Sequence, residues 1–215
     1  MPGAPLKDLE SMRAEARNQQ GEALLDAAER LLVDSGPEAV SMRRVAELVG
    51  ASSQVVITHF SNKQGLADAL LRRGFDRLRQ TLGAVAVTGD ALEDLAGCLR
   101  AYRAFAVANP ALYRVMFGQA VATQPLSEQS AVVARDAFQT LADRVRRSVE
   151  EGALSGHDPR ATAEVLWAAA HGVVSLETTG FLSRPPRGDA TFEALLVTLI
   201  RPPAAGPARD AGGPG

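Results

Sequence analysis

The chain has 215 residues, 46% of them hydrophobic and 22% charged, with a formal net charge of −2. That length buries a substantial core, and the near-neutral balance excludes a general cationic field, so any affinity for nucleic acid has to come from a local patch. Cys98 is the single cysteine, which excludes an intrachain disulfide and a cysteine-based metal site and fits a reducing compartment.

The start, MPGAPLKDLE, lacks an apolar signal core. The longest stretch without a formal charge, Leu48 to Asn62, is fifteen residues and is interrupted by Gly, Ser and Gln. A membrane span needs roughly 18 or more apolar residues. A soluble, cytoplasmic protein with no membrane partner is expected.

Taken in order, Pro2, Gly3 and Pro5 followed by mixed charge predict a disordered or frayed arm over residues 1–17. Arg13 and Arg17 within it read first as a solvated helix face and only second as an arm reaching DNA. From Asn18 to Ser35 the spacing of Leu24, Ala28, Leu31 and Leu32 predicts an amphipathic helix, ended by Gly36-Pro37. Ser41 is placed to N-cap a short helix with Val45, Leu48 and Val49 on its apolar face. Gly50 stops that helix by accepting the left-handed backbone. Ser52 is the next N-cap, and Val56 and Phe60 share the inner face of a second short helix over Ser53 to Phe60. Two helices joined by a tight glycine turn describe a helix-turn-helix, whose second helix enters the DNA major groove. Ser61 and Gln64 have capping-box spacing and open a long helix from about Asn62 to Val85, with Leu66, Leu70, Phe75, Leu78 and Leu82 along one side.

The second half is also helical. The predicted elements run from Ala91 to Ala108, from Ala111 to Gly118, from Ser127 to Glu151 with Val132, Phe138, Leu141, Val145 and Val149 inward, from Pro159 to Gly180, and from Ala190 to Ile200. Asn109-Pro110, residues 119–126 and Gly152 to His157 are breaks, and Asp158 with Pro159 has the N-cap and first-position chemistry of a helix start. The tail PPAAGPARDAGGPG is low-complexity and predicted disordered. No strand alternation occurs. The fold class is therefore all-α, with about nine helices at the periodicities expected of that class. Its domains are an arm (1–17), a helix-turn-helix domain (18–66), a larger helical bundle (67–201) and a tail (202–215).

The predicted recognition helix, Ser53 to Phe60, has no Lys or Arg, so the commonest base contact, Arg to guanine, is absent from it. Gln54 can pair bidentately with adenine, Ser53 and Thr58 can read either base, and Val55 and Ile57 can pack on thymine methyls. Phosphate contacts then fall to Arg43, Arg44 and Lys63, with Ser41, Ser52 and His59 as neutral donors. In the second half, Tyr102, Phe105, Tyr113, Met116, Phe117, Phe138, Trp167 and His171 offer apolar walls with a few polar tips, which suits a largely apolar small ligand, although each also suits plain core. Ala168, Ala169, Ala170 and Gly172 permit close helix approach. Ala168 and Gly172 with Phe192, Leu195, Leu196 and Leu199 form the candidate interface of a two-fold dimer. The histidines His59, His157 and His171 are scattered, no carboxylate pair has catalytic spacing and no Gly-rich phosphate loop occurs, so no enzyme, metal or cofactor is expected.

Residues Ser41 to Leu66 resemble the TetR family of bacterial transcriptional regulators. The residues that carry the resemblance are Gly36, Ser41, Val45-Ala46, Gly50-Ala51-Ser52, His59-Phe60, Ser61-Asn62-Lys63 and Leu66. Asn109 to Phe117 and Asp158 to Gly180, with Trp167, His171 and Gly172, resemble a C-terminal subtype of that family named for its Trp-His-Gly signature. The resemblance implies a homodimeric repressor. Two recognition helices grip a pseudo-palindromic double-stranded operator, and a small-molecule effector releases it through the long connecting helix. Most members have Tyr where this chain has Ile57, and many have a small residue where it has Gln54. A helix-turn-helix used for protein interaction or ligand sensing, with DNA binding weakened or lost, is the alternative.

Overall fold

A computed structural model describes residues 8–118, 127–154, 158–182 and 187–200. The loop expected over 119–126, the disordered tail over 202–215 and residues 1–7 of the expected arm lie outside the described residues, as do residues 155–157 of the second break. Among the described residues every regular element is helical. The elements are α1 (Leu9–Ser35), a 3₁₀ turn (Pro37–Ala39), α2 (Met42–Leu48), α3 (Ser53–Phe60), α4 (Lys63–Gly83), α5 (Ala91–Ala108), α6 (Pro110–Phe117), α7 (Glu128–Glu150), α8 (Pro159–Thr178) and α9 (Arg187–Ile200). The chain divides into two compact units, one comprising Met1–Asp76 and Ala111–Ala134, the other Arg77–Pro110 and Arg135–Gly215.

In the first unit α1 starts at Leu9, well ahead of the expected Asn18. Asp8 has extended backbone and its carboxylate accepts the Ser11 N–H at 2.7 Å, a satisfied N-cap. The hydrophobic pattern could not report this start, because residues 9–20 are all exposed and bury no stripe. From Leu24 onward α1 packs Leu24, Ala28, Leu31 and Leu32 into a core shared with Val45, Val56, Leu66 and Leu70. Val45, Val56 and Leu66 are fully buried, each contributing roughly 1.5–3 kcal/mol of transfer free energy. Arg73 on α4 reaches across to α1, donating to Asp26 at 2.7 Å, to Glu29 at 3.3 Å, and to the carboxylate and carbonyl of Glu22.

The short helices follow their caps. Ser41 Oγ accepts the Arg44 N–H at 3.3 Å, and Gly50 takes φ +67° as its turn requires. Leu48 and Val49, expected on the inner face, are instead exposed (51% and 38%), and Ala46 fills the place beside Val45. The helix stops at Leu48, so the i+3 and i+4 positions counted from Val45 fall where the chain is already leaving the core.

The joint between α3 and α4 also departs from expectation. Ser61 does not cap α4. It closes α3 at a positive φ of +66° with ψ −51°, a γ-turn in which the Asn62 N–H donates to the Phe60 carbonyl at 2.7 Å. Asn62 takes the capping role, its side-chain oxygen accepting the Gly65 N–H at 2.9 Å and its carbonyl the Leu66 N–H at 3.0 Å. A Cβ on Gly65 would lie 2.0 Å from the Phe60 carbonyl oxygen, so the first turn of α4 rests directly on the end of α3. Further along α4, a Cβ on Gly74 would meet Met116 Sδ at 2.6 Å, which is how α6 comes so close.

In the second unit, α5 is capped by Asp90, whose carboxylate accepts the N–H groups of Leu92 and Glu93 at 3.0 Å, and α8 is capped by Asp158. Buried Asp94 accepts from the Thr88 N–H (2.9 Å) and hydroxyl (2.8 Å) and from Arg147 (2.7 Å). Burial alone would push this carboxyl up; the Thr88 and Arg147 donors outweigh it and hold it below its ordinary value. Arg103 forks onto the buried carboxylate of Glu177 at 2.6 and 2.8 Å, tying α5 to α8. Of the residues expected inward on α7, Leu141 and Val145 are buried, Phe138 and Val149 are half-buried, and Val132 is exposed (43%).

Candidate nucleic-acid interface and ligand site

The structure turns the side chains of α3 as an amphipathic eight-residue helix must. Val56 is buried, Phe60 half-buried against the core, and Gln54, Ile57 and Thr58 are exposed. Ser53 and Val55 are half-buried. Gln54 thus stands free on the outer face, as adenine recognition needs. Thr58 is less free, because its hydroxyl donates to the Gln54 carbonyl at 2.8 Å and retains only acceptor capacity for a base.

The surrounding groups are unequal. Arg43 pairs with Glu47 at 2.8 Å on the exposed face of α2, Arg44 is half-buried, and Lys63 is exposed at the first position of α4. Ser52 sits at the start of α3 without a capping hydrogen bond from its side chain, leaving its hydroxyl available beside the open N–H groups of that helix. His59 faces α1, with Nε2 2.9 Å from Gln20 Oε1 and Nδ1 close against Gly21. Burial, with a smaller contribution from the Arg17 guanidinium, holds its imidazole below the ordinary value of 6.5. The Gln20 contact escaped sequence reading, since no pattern links side chains 39 positions apart.

The eight expected pocket residues fall in both units. In the first, Tyr113 and Phe117 rings lie 4.8 Å apart, Phe117 meets Phe75 edge-on at 5.3 Å, and Met116 packs against Gly74. In the second, Tyr102 and Phe105 are buried, Phe138 and Trp167 rings lie 5.6 Å apart, and Trp167 borders His171 at 6.3 Å. Tyr102 Oη is 3.1 Å from His171 Nδ1, and His171 Nε2 is 3.2 Å from Ser175 Oγ. This Tyr-His-Ser chain supplies polar tips on an aromatic wall, and burial lowers the His171 pKa so that the neutral ring bridges both hydroxyls. Ser175 was not anticipated, although its position four residues after His171 on one helix was the available signal.

The expected dimer residues separate clearly. Phe192 and Leu196 are buried within the chain's own core, at 1% and 3% exposure, and so are not available to a partner. Leu195 is half-buried, Ala168 and Leu199 are exposed, and Gly172 has open space where a Cβ would stand. Val165 (60%), Leu176 (46%) and Val197 (55%) are exposed apolar side chains on the same two helices. Among the described residues no group of three His, Cys, Asp or Glu side chains could hold a metal, and no helix is long and apolar enough to cross a membrane. Cys98 is buried and its thiol is pushed up to about 11, opposite to what a nucleophile needs.

A capped helix-turn-helix with an outward-facing second helix, followed by a larger all-helical portion, defines a regulator-type architecture. Comparison with known proteins agrees. The family model described as "Bacterial regulatory proteins, tetR family" matches residues 24–70, and that for "Tetracyclin repressor-like, C-terminal domain" matches residues 95–199. The chain belongs to the TetR family of bacterial regulatory proteins. It is 31% identical over 122 residues to the HTH-type transcriptional activator FasR of Mycolicibacterium smegmatis, a match covering 56% of each protein. The chain thus spans about half the length of the curated relatives it matches. A protein of unknown function from Rhodococcus sp. RHA1 superposes with a TM-score of 0.73 at 26% identity, covering 84% of this chain and 95% of that one. AibR in complex with isovaleryl coenzyme A and operator DNA shares the fold, with a TM-score of 0.63 at 20% identity, covering 85% of this chain and 98% of AibR.

Proposed function

We propose that this chain is a homodimeric transcription regulator that binds a pseudo-palindromic DNA operator and releases it when a small, largely apolar ligand occupies its C-terminal portion. The observation that carries the reading is the outer face of α3. Gln54 and Ile57 project outward from a helix held by a fully buried Val56, with Arg44, Lys63 and the Ser41 and Ser52 hydroxyls around it. Direct readout is led by Gln54 at an A·T pair, and phosphate contacts come from α2 and the start of α4. Ligand recognition falls to the aromatic wall that includes Trp167 and the Tyr102-His171-Ser175 chain. The dimer uses exposed apolar positions of α8 and α9, namely Val165, Ala168, Leu176, Val197 and Leu199, around the open surface at Gly172. AibR, whose structure holds both a coenzyme A thioester and operator DNA, supports a coupled ligand-and-DNA role by likeness of fold.

A gel shift against DNA of the protein's own promoter region tests the reading. The expected result is a discrete complex of the wild type, weakened by Gln54→Ala at one A·T pair. Absence of any shift would favour a ligand-sensing or protein-interaction module instead. Sedimentation at micromolar concentration tests the dimer, and a monomer there would refute it.

A further inference from the structure

The recognition helix carries no cation, and Arg43 is already engaged by Glu47. Phosphate neutralisation is therefore scarce on the helix-turn-helix itself, while the start of α1, which carries three carboxylates as well as two guanidiniums over residues 8–20, gathers both arginines on one stripe beside it. The stripe by which α1 enters the core, Leu24, Ala28 and Leu31, continues toward the N-terminus at helical spacing through Gln20, Arg17 and Arg13. Where that stripe leaves the core it changes from apolar to polar and basic, and all of residues 8–20 are exposed. The packing against His59 fixes its direction. Gln20 bonds the His59 ring on α3 at 2.9 Å and Gly21 lies close against the same ring, with Arg17 near enough to help lower its pKa. The stripe thus faces the end of the recognition helix. By the same helical spacing Asp8 and Glu15 fall on the opposite flank, and Glu10 lies one turn beyond Arg13.

We propose that the projecting first turns of α1 are a second DNA-contact element, laying Arg13 and Arg17 on backbone phosphates that flank the segment read by α3. The proposal rests on the DNA-binding reading above. The two guanidiniums stand about 6 Å apart along the helix axis. Their contacts are sequence-independent and add affinity and salt dependence without adding base preference. The Gln20–His59 bond keeps this element in register with α3, so the flanking contact lies at a set distance from the bases read.

The test uses the full chain and a duplex recovered by selection from a random-sequence pool, prepared with long and with short flanks. Observed affinity is measured against salt for the wild type, the Arg13→Gln/Arg17→Gln double variant and the Arg13→Lys/Arg17→Lys double variant. On the long-flank duplex the glutamine variant should lose about 2 from the magnitude of the log–log salt slope per protomer. The lysine variant should keep the slope, the preferred bases should not change, and trimming the flanks should abolish the difference. Equal slopes for wild type and glutamine variant would overturn the proposal while leaving the DNA-binding reading intact. A changed base preference with an unchanged slope would also overturn it, in favour of base contact. Failure of the wild type to select any DNA would overturn both readings together. Circular dichroism of the variants should match the wild type, since both positions are exposed.

Discussion

Replacing Arg73 with Met removes the guanidinium that joins α4 to α1 while keeping a side chain of similar length. The wild-type side chain is only 11% exposed and serves three carboxylates, of which Glu22 and Asp26 are open to solvent (67% and 63%) and Glu29 is not (19%). The two exposed pairings behave as surface ion pairs, each worth about 0–1 kcal/mol. The Glu29 contact is partly desolvated, and loss of a charge-assisted bond there costs about 1–2 kcal/mol. The total, about 2 kcal/mol, corresponds to roughly a 30-fold rise in the equilibrium for undocking α1. Hydrogen exchange read by mass spectrometry on peptides covering α1 should show that loss of protection. The difference should shrink at high salt as the Glu22 and Asp26 contributions are screened. Arg73→Lys should fall between the two, because a point charge cannot serve several carboxylates with a planar fork. Protection of α1 within about threefold of wild type in Arg73→Met would refute the assignment of Arg73 as the tie, since threefold is well under 1 kcal/mol.

Other measurements address the remaining sites. The Asp94 carboxyl is held below its ordinary value of 3.8, so its stabilising effect is full above that pH and is lost as pH falls through the lower folded value. Asp94→Asn should therefore lower stability near neutrality and flatten the acid limb of the stability–pH curve; an acid limb as steep as that of the wild type would argue against this carboxylate. Cys98, with its thiol raised to about 11 by burial, should resist a disulfide reagent at pH 8 in the native protein and react promptly in urea, and rapid native labelling would contradict the packing. Gln54→Ala should cost about 1–3 kcal/mol of discrimination at a single A·T pair and leave other positions alone. An operator preference indifferent to this change would place base reading elsewhere.

The helix-turn-helix was legible because several local rules agree there. Ser41, Gly50, Ser52 and Val56 each have one physically sensible place, and α3 occupies Ser53–Phe60 as expected. Where only one rule spoke, it was outvoted. Capping-box spacing favoured Ser61, yet Asn62 makes the capping bonds while Ser61 adopts a positive φ. Periodicity placed Leu48 and Val49 inward, but a seven-residue helix ends before its stripe completes a second turn. For the second half, periodicity reports which face of a helix is apolar and not what covers it. Phe192 and Leu196 were therefore as plausible at an interface as in the core that holds them. Tyr113, Met116 and Phe117 likewise had the composition of a pocket wall, and nothing in the pattern foretold that they would pack with Phe75 and Gly74.

The two-residue joint at Ser61-Asn62 makes the recognition helix the short limb of a stiff bracket. Its elbow is closely packed and hydrogen-bonded. One residue is held in a conformation that costs a non-glycine side chain about 1 kcal/mol or more, the other is bonded twice into α4, and the inside of the bend is closed by the Phe60 carbonyl against Gly65. A twist of the first turn of α4 is therefore expected to carry α3 with it, because only two residues join the helices. Insertions that ordinary surface loops accept at little cost would here misdirect Gln54 by a large angle, and any side chain larger than hydrogen at position 65 would pry the two limbs apart.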